Sequence, residues 1–348
     1  MNDRIPEVPP VIAPIAGNEI RPVWSVMIPT YNCIQYVMSA LESVLAQDPG
    51  QEFMQIEVID DCSTDGDVGK LVQEVGKGRV GFYKQPENRG SLRNFETCVN
   101  RSKGVFVHLL HGDDCIKRGF YDEIKNMFDA APEIGAAYTK SIHIDPAGNE
   151  MPIISDGLPE KTGIVEDFLF QIASFQKIQP PSIVVKRSVY ENLGGFFAVK
   201  YGEDWEMWIR IAAHYKVSYS PKGLALYRAG HPTNISNQSV LTGQNIKDIT
   251  KVIDIVQAYL PVTQKKILRN IARKNFSIHY AMASYRIYPD NKKMAFIQAH
   301  GAISMHKNLK TFYYVARLYL AHFLDKLGIN TMKKSVMVSN TVYILMAC

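Results

Sequence analysis

The sequence predicts an α/β protein with a mostly parallel central sheet flanked by helices, followed by a helical C-terminal region. Three observations carry this. Across residues 23–110, short apolar, β-branched runs alternate with segments of helical apolar spacing, the pattern of strands joined by crossover helices. Three of those runs end in polar clusters, at residues 29–32, 60–65 and 111–114, and in such sheets ligands bind outside the carboxyl ends of the strands. From Gln244 onward the apolar spacing is helical throughout.

Taken in order, residues 23–28 read as a first strand, closed by Pro29-Thr30-Tyr31-Asn32. Residues 33–46 place Ile34, Val37, Ala40, Leu41, Val44 and Leu45 on one helical face. Residues 56–59 are a second strand, ending in Asp60-Asp61-Cys62-Ser63-Thr64-Asp65, with a helix expected near Leu71. A short strand at 80–83 precedes a turn at Asn88-Arg89-Gly90, and Ser91 is expected to cap a helix to about Val99. The run 105–110 reads as a buried strand leading into His111-Gly112-Asp113-Asp114. A helix is expected over 116–130, a strand over 134–144, and a loop with one helix over 151–175, a candidate acceptor-side segment by position. Pro180-Pro181-Ser182 precedes a strand at 183–185, and Gly194-Gly195-Phe196 makes a tight turn. Residues 203–214 form a helix with Trp205, Trp208, Ile209 and Ala212 as its apolar stripe, and strands follow at 217–219 and 224–227. Four helices close the chain, over 246–259, 264–285, 293–305 and 310–327. The expected organisation is an irregular lead-in at 1–22, a catalytic domain at 23–240 and a basic helical region at 241–348.

The adjacent carboxylates Asp113 and Asp114 repel each other when ionised, and a hard cation such as Mg²⁺ or Mn²⁺ relieves that repulsion. Such an ion keeps positions for water and substrate phosphates, so one or two carboxylates suffice. The bland alternative is an acidic turn with Asp114 capping the next helix. Asp204 and Glu203 have a structural reading as well, in helix capping and in the positive end of the helix dipole.

The 348 residues are 46% apolar and 21% charged, ordinary for a globular protein with a packed core. No apolar run is long enough to span a bilayer, and no basic-then-apolar leader opens the sequence. Five cysteines without CxxC spacing argue against a disulfide framework or a zinc site and for a reducing compartment. The net charge of +5 is uneven. Residues 241–348 hold 16 Lys+Arg against 4 Asp+Glu, a net of +12, which leaves −7 for the first 240. A solvated basic face or an anionic partner, membrane or nucleic acid, are both open to such a region. Nucleic acid is the weaker option, because no recognised binding motif accompanies the charge. Dinucleotide-binding and Walker-type enzymes are excluded: the turn after the first strand is Pro-Thr-Tyr-Asn, with no Gly-rich loop.

The ordered set Pro29-Thr30-Tyr31-Asn32, Asp60-Asp61-x-Ser63-Thr64-Asp65, Asn88-x-Gly90, Arg93-Asn94, Gly112-Asp113-Asp114, Gly194-Gly195-Phe196, Glu203-Asp204-Trp205 and Tyr227-Arg228-x-x-His231 resembles family 2 glycosyltransferases over about residues 23–237. The resemblance implies a GT-A fold and inverting sugar transfer from a nucleotide-sugar, with UDP the preferred nucleotide. It implies that Thr30 and Asp60 contact the nucleoside, Asp60 accepting an N–H from the base edge. Pro29 would shape that pocket, Arg93 would lie near the nucleotide, and Glu203 belongs to the donor-binding set. Asp113, with Asp114 beside it, would bind a Mn²⁺ or Mg²⁺ ion on the donor diphosphate, and His231 would approach the diphosphate or complete the metal shell. Asp204 would be the general base. His111 departs from the family's frequent Asp-x-Asp-Asp, and a neutral imidazole there weakens the negative field. Cys62 occupies a variable position and has no assigned role.

The expected acceptor is a hydroxyl of a glycan or a lipid-linked glycan, as in polysaccharide biosynthesis. The expected place is cytoplasmic, with the basic C-terminal region against the inner face of a membrane, packed on the catalytic domain, or in a homo-oligomer. The competing reading is a non-catalytic module that binds glycans or anionic polymers on the same fold.

Overall fold

The computed structural model describes residues 3–15, 17, 20–152, 159–230 and 234–329. They fall into two compact units. The first takes the described residues up to His143, those within 159–168, and Ile178–Arg228; the second takes 144–152, Leu169–Lys177 and those from Ala229 on.

The first unit carries a mixed sheet that is nine-stranded among the described residues. Strand β1 (Trp24–Thr30) is buried along its whole length, followed by α1 (Ile34–Leu45). Then come β2 (Met54–Asp60), α2 (Val68–Gly76), β3 (Gly81–Lys84), α3 (Ser91–Arg101) and β4 (Phe106–Leu109). This half is parallel, in the order β3-β2-β1-β4, with β1 paired to both β2 and β4. The helices cover both faces, which is why β1 and β4 read as near-continuous apolar runs. Strand β3, at the edge, is largely exposed.

Beyond β4 the pairing turns antiparallel. The elements are β5 (Cys115–Ile116), α4 (Phe120–Ala130), β6 (Ala136–Ile144), β7 (Gly163–Ile164), α5 (Phe168–Ser174), β8 (Ile183–Lys186), α6 (Arg187–Leu193), α7 (Glu203–His214) and β9 (Val217–Arg228). The sheet continues β4-β8-β6-β9-β5, and β7 also pairs with β9.

Several local expectations are corrected. The helix expected from residue 116 begins at Phe120, because Cys115 and Ile116 pair with β9 and Gly119, at φ 86°, breaks the path. The two strands expected around Gly223 are one continuous β9. Ser91 does not cap α3: Gly90 is the N-cap residue and the Ser91 hydroxyl has no partner. Helix α6 has no counterpart among the expected elements; the Gly194 turn is its C-cap, at φ 79°.

The lead-in has no helix or strand over its described residues, but it is packed. Ile12 is buried, Pro6 and Pro10 carbonyls accept from Ala198 and Gly195, and Arg187 donates to the Ala13 carbonyl. Asp3 pairs with Arg93.

The second unit is helical: it takes α5 from Leu169 on, then α8 (Ile235–Thr242), α9 (Gln244–Ile255), α10 (Lys265–Ile287), α11 (Lys292–Met305) and α12 (Leu309–Lys326). Helix α8 is a further addition to the expected elements, although Asn234 caps it at 2.7 Å and Gly243, at φ 74°, ends it. A buried amide pair, Asn245 and Gln298, ties α9 to α11.

Candidate active site

The parallel strands β1 and β2 end side by side at Thr30 and Asp60. The loops beyond them are stitched together. Asn32 N–H donates to Ser63 Oγ, Asn32 Oδ1 accepts from Thr64 N–H at 2.8 Å, and Asp65 accepts from Ile34 N–H, closing the start of α1. Asp60 is buried and accepts from the Ser63 main chain at 3.1 Å, from the Ser63 hydroxyl and from Thr30 Oγ1 at 3.2 Å. A carboxylate offers about four lone-pair sites, so this leaves acceptor capacity on Asp60.

Its neighbour Asp61 does a different job. Its carboxylate accepts from the Arg89 and Gly90 main-chain N–H groups and from the Asn88 amide, and so fixes the turn into α3. Burial pushes the Asp61 carboxyl up despite those donors.

The third strand end, after β4, carries His111, Gly112, Asp113 and Asp114. Gly112 N–H donates to the Pro29 carbonyl at 3.1 Å, holding this loop against the end of β1. A Cβ at Gly112 would sit 2.6 Å from Thr30 Cγ2, so a residue with a side chain cannot make this approach without displacing Thr30. One ligand atom each from His111, Asp113 and Asp114 lies within 4.8 Å of the others. Asp114 is buried; its Oδ1 accepts from the Arg228 main-chain N–H at 2.7 Å, while its Oδ2 is buried with no hydrogen-bond partner. Burial, and Asp113 beside it, push the Asp114 carboxyl well above the usual range, against the Arg228 N–H and guanidinium. Burial lowers the His111 imidazole against the pull of Asp113. The ring is therefore neutral at ordinary pH, the form that ligates metals. A divalent cation fits this set, since it would satisfy the orphaned Asp114 oxygen and offset two adjacent carboxylates.

His111 also links this cluster to a second group. Its ring stacks on Phe95 at 5.1 Å, Phe95 meets Phe196 edge-on at 5.4 Å, and Phe196 meets Trp208 at 6.1 Å. A cleft lined by Phe95, His111, Phe196, Glu203, Asp204 and Trp208 runs along this aromatic wall. Glu203 and Asp204 form the first turn of α7, whose N-cap is Gly202 at φ 83°. Neither carboxylate is therefore the cap, although Asp204 Oδ1 accepts from the next residue's N–H at 2.7 Å. The Trp208 indole N–H is buried without a partner on the same cleft.

The residues singled out from sequence thus divide. Pro29, Thr30 and Asp60 lie together at the ends of β1 and β2, with Asp113 and Asp114 in the loop against them. Glu203 and Asp204 share the cleft with His111. Arg93 is held by Asp3 and by Glu96, the latter at 2.7 Å. His231 lies outside the described residues. Asp61, Ser63, Asn32 and Trp208 carry no role in the sequence-based reading of the site. The cluster of carboxylates and hydroxyls over residues 60–65 is the signal that points to the first two, while Trp208 shows in sequence only as part of an apolar stripe.

Residues 25–179 match the family model described as glycosyl transferase family 2. MT1568, an uncharacterized protein of Mycobacterium tuberculosis, is 22% identical over 250 residues, which are 69% of this chain and 77% of that protein. Chondroitin synthase of Escherichia coli is 30% identical over 138 residues, 39% of this chain, and the match spans 19% of that enzyme's length. Among solved structures, S. aureus TarS 1-349 in complex with UDP-GlcNAc superposes with a TM-score of 0.62 at 16% identity, covering 88% of this chain and 89% of that one. The mannosyltransferase PcManGT of Pyrobaculum calidifontis, in complex with GDP-Man and Mn²⁺, gives 0.56 at 18% identity, covering 97% and 88%. At these identities the likeness is one of fold, of the GT-A type.

Proposed function

The chain belongs to glycosyl transferase family 2 through its residues 25–179, and from that premise we propose that it moves a sugar, with inversion, from a UDP-sugar to a hydroxyl of a glycan or lipid-linked glycan. One observation carries the reading. His111 belongs both to the cluster with Asp113 and Asp114 and to the cleft with Glu203 and Asp204, so a diphosphate-binding end and a carboxylate base adjoin one aromatic-walled space.

In this reading Asp60, braced by Thr30 and Ser63, accepts an N–H from the nucleobase edge, and Pro29 lines that pocket. Arg93 and Glu203 belong to the donor-binding surroundings. Asp113, Asp114 and His111 would hold Mn²⁺ or Mg²⁺, with His231 a further ligand or a diphosphate contact. The ion, when bound, supplies positive charge to the departing diphosphate. Asp204 takes the proton of the acceptor hydroxyl as its oxygen forms the new bond to the anomeric carbon. The bond from that carbon to the diphosphate oxygen breaks with its electron pair leaving on the nucleotide. Attack opposite the leaving group inverts the centre in one displacement, and Phe95, Phe196 and Trp208 keep water from competing. The nucleotide assignment draws on the UDP-GlcNAc complex of the TarS neighbour. The proposed setting is the reducing cytoplasm, in keeping with four free thiols among the described residues.

The test is nucleotide release from a panel of UDP- and GDP-sugars with Mn²⁺, for the full chain and for Asp204→Asn. We expect one donor to be turned over, with the variant slower by about 10²–10⁴-fold and donor affinity nearly unchanged. Absence of turnover with every donor would favour the non-catalytic binding module, and an unimpaired variant would remove Asp204 as the base.

A further inference from the structure

Helix α12 has two apolar sides. One is packed, through Thr311, Val315, Leu318 and Ala321. The other faces outward: Leu309 is 88% exposed, Phe323 59% and Leu320 58%, and Phe312, Tyr313 and Leu327 are exposed as well. Positions 309, 313, 316, 320, 323 and 327 recur by alternating steps of four and three, so they line one continuous stripe. The 18-residue helix makes this stripe roughly 27 Å long. Single exposed apolar residues are ordinary, but a stripe of five large ones about the small Ala316 marks an interaction surface.

The charges around the stripe have one sign. Lys310 and Lys326 stand exposed at its two ends. At mid-helix the Arg317 guanidinium lies 5.5 Å from the Tyr313 ring centroid, held by the Tyr285 hydroxyl at 3.0 Å. The sole acidic residue of the helix, Asp325, is turned to Lys292 and to the Tyr288 hydroxyl. Aromatic rings, aliphatic tips and flanking cations form the composition that seats in the headgroup layer of a bilayer.

We propose that the outward face of α12 docks on an anionic lipid membrane, the helix lying along the surface with its Phe and Leu side chains in the headgroup boundary. Among the described residues no helix is long and apolar enough to cross a membrane, and with its other side packed α12 offers the bilayer only this outward face. A second copy of the chain is the less favoured occupant. It would bring two C-terminal regions of net charge +12 together, and the one acidic residue of each α12, Asp325, is already paired with Lys292. Adsorption through this face is independent of the donor, the metal and the base.

The experiment is flotation of the full chain with vesicles of phosphatidylcholine and phosphatidylglycerol in equal parts, against pure phosphatidylcholine, with light scattering in parallel. We expect a monomer that floats with the anionic vesicles and is released by high salt. Leu320→Glu/Phe323→Glu should lower the bound fraction tenfold or more with an unchanged circular-dichroism melt. If that variant misfolds, Lys310→Glu/Lys326→Glu serves, with loss of the preference for anionic vesicles expected. Failure to float on anionic vesicles, or flotation indifferent to both variants, overturns the proposal. A dimer that the first variant dissociates would assign the face to a second copy.

Discussion

The main-chain N–H of Arg228 donates to Asp114 Oδ1 at 2.7 Å, joining the last residue of β9 to the acidic loop after β4. The Arg228 side chain completes the attachment. Its Nε–H donates to the Asp113 carbonyl at 2.8 Å and its guanidinium lies over the Tyr36 ring at 4.7 Å. The pair Asp113-Asp114 is thus held at both main chain and side chain. Arg228→Ala keeps the main-chain donor but frees the Asp113 peptide. Supporting contacts of this sort typically govern metal affinity by about 10–100-fold. We expect Mn²⁺ binding, read by calorimetry, to weaken by about that factor, and Arg228→Lys to recover little of it. Unaltered affinity in Arg228→Ala would show that the loop holds its shape alone.

His111 offers a second handle on the same cluster. Replacing it by Asp adds a third carboxylate beside Asp113 and the buried Asp114. Without metal the added charge must be desolvated next to like charge, so the apo protein should lose stability, on the order of 1–3 kcal/mol. With Mn²⁺ the same charge becomes a hard ligand, and affinity should rise about tenfold or more. Urea unfolding with and without Mn²⁺ reads both effects, since a ligand that binds only the folded state stabilises it by mass action. A variant that is no less stable without metal, or no tighter with it, would place residue 111 outside the ion's surroundings.

Gly112 is set by contact. A Cβ there would meet Thr30 Cγ2 at 2.6 Å, Cys33 Sγ at 3.2 Å and the Pro29 carbonyl at 3.3 Å, so the Thr30 methyl is the tightest obstacle. Gly112→Ala should therefore cost about 1–3 kcal/mol, as overpacking does. Adding Thr30→Ser deletes Cγ2 and keeps the hydroxyl that donates to Asp60. The double variant should regain most of the loss in thermal unfolding. No recovery would mean that Cys33 Sγ or the Pro29 carbonyl is the obstacle.

Much of this arrangement is legible in the residues alone. Strand-end clusters at Thr30, Asp60 and Asp113 can be read because a buried parallel strand is an unbroken apolar run and its polar terminus stands out. The antiparallel half is harder, because β9 passes through Pro221 and Gly223, residues that ordinarily interrupt a strand, and its ladder partners override that preference. Helix α6 is only seven residues long, too short for helical periodicity to register. The division of labour between Asp60 and Asp61 is hidden for another reason: Asp60 is claimed by Thr30 and Ser63, whereas the main-chain donors that claim Asp61 come from Arg89 and Gly90. Contacts of that separation leave no local trace in sequence. The packed lead-in is a similar case, since its partners at 194–198 lie far along the chain.

His108, fully buried in β4, supplies a pH prediction. Its Nε2 lies 3.0 Å from the Pro181 carbonyl and must carry the proton, so its Nδ1, 3.2 Å from the Tyr121 hydroxyl, accepts. The ring also stacks on Phe120 at 4.9 Å. Burial holds this imidazole down to about 4, against the Pro181 carbonyl, which favours the charged form. In the unfolded chain it titrates near its ordinary value of about 6.5. Above that pH both states carry a neutral ring and nothing is lost. As pH falls below it the unfolded chain binds a proton that the folded chain does not, and stability declines by about 1.4 kcal/mol per pH unit. The decline levels off near the folded value, after a total of roughly 3 kcal/mol. His143, also held near 4 by burial, acts in the same direction, so the comparison must be between the wild type and a single variant. His108→Gln keeps an amide donor for Pro181 but cannot titrate. Its urea-derived stability should fall less steeply between pH 6.5 and 4, by the slope of one proton, and parallel curves would show that His108 is not what the acid attacks.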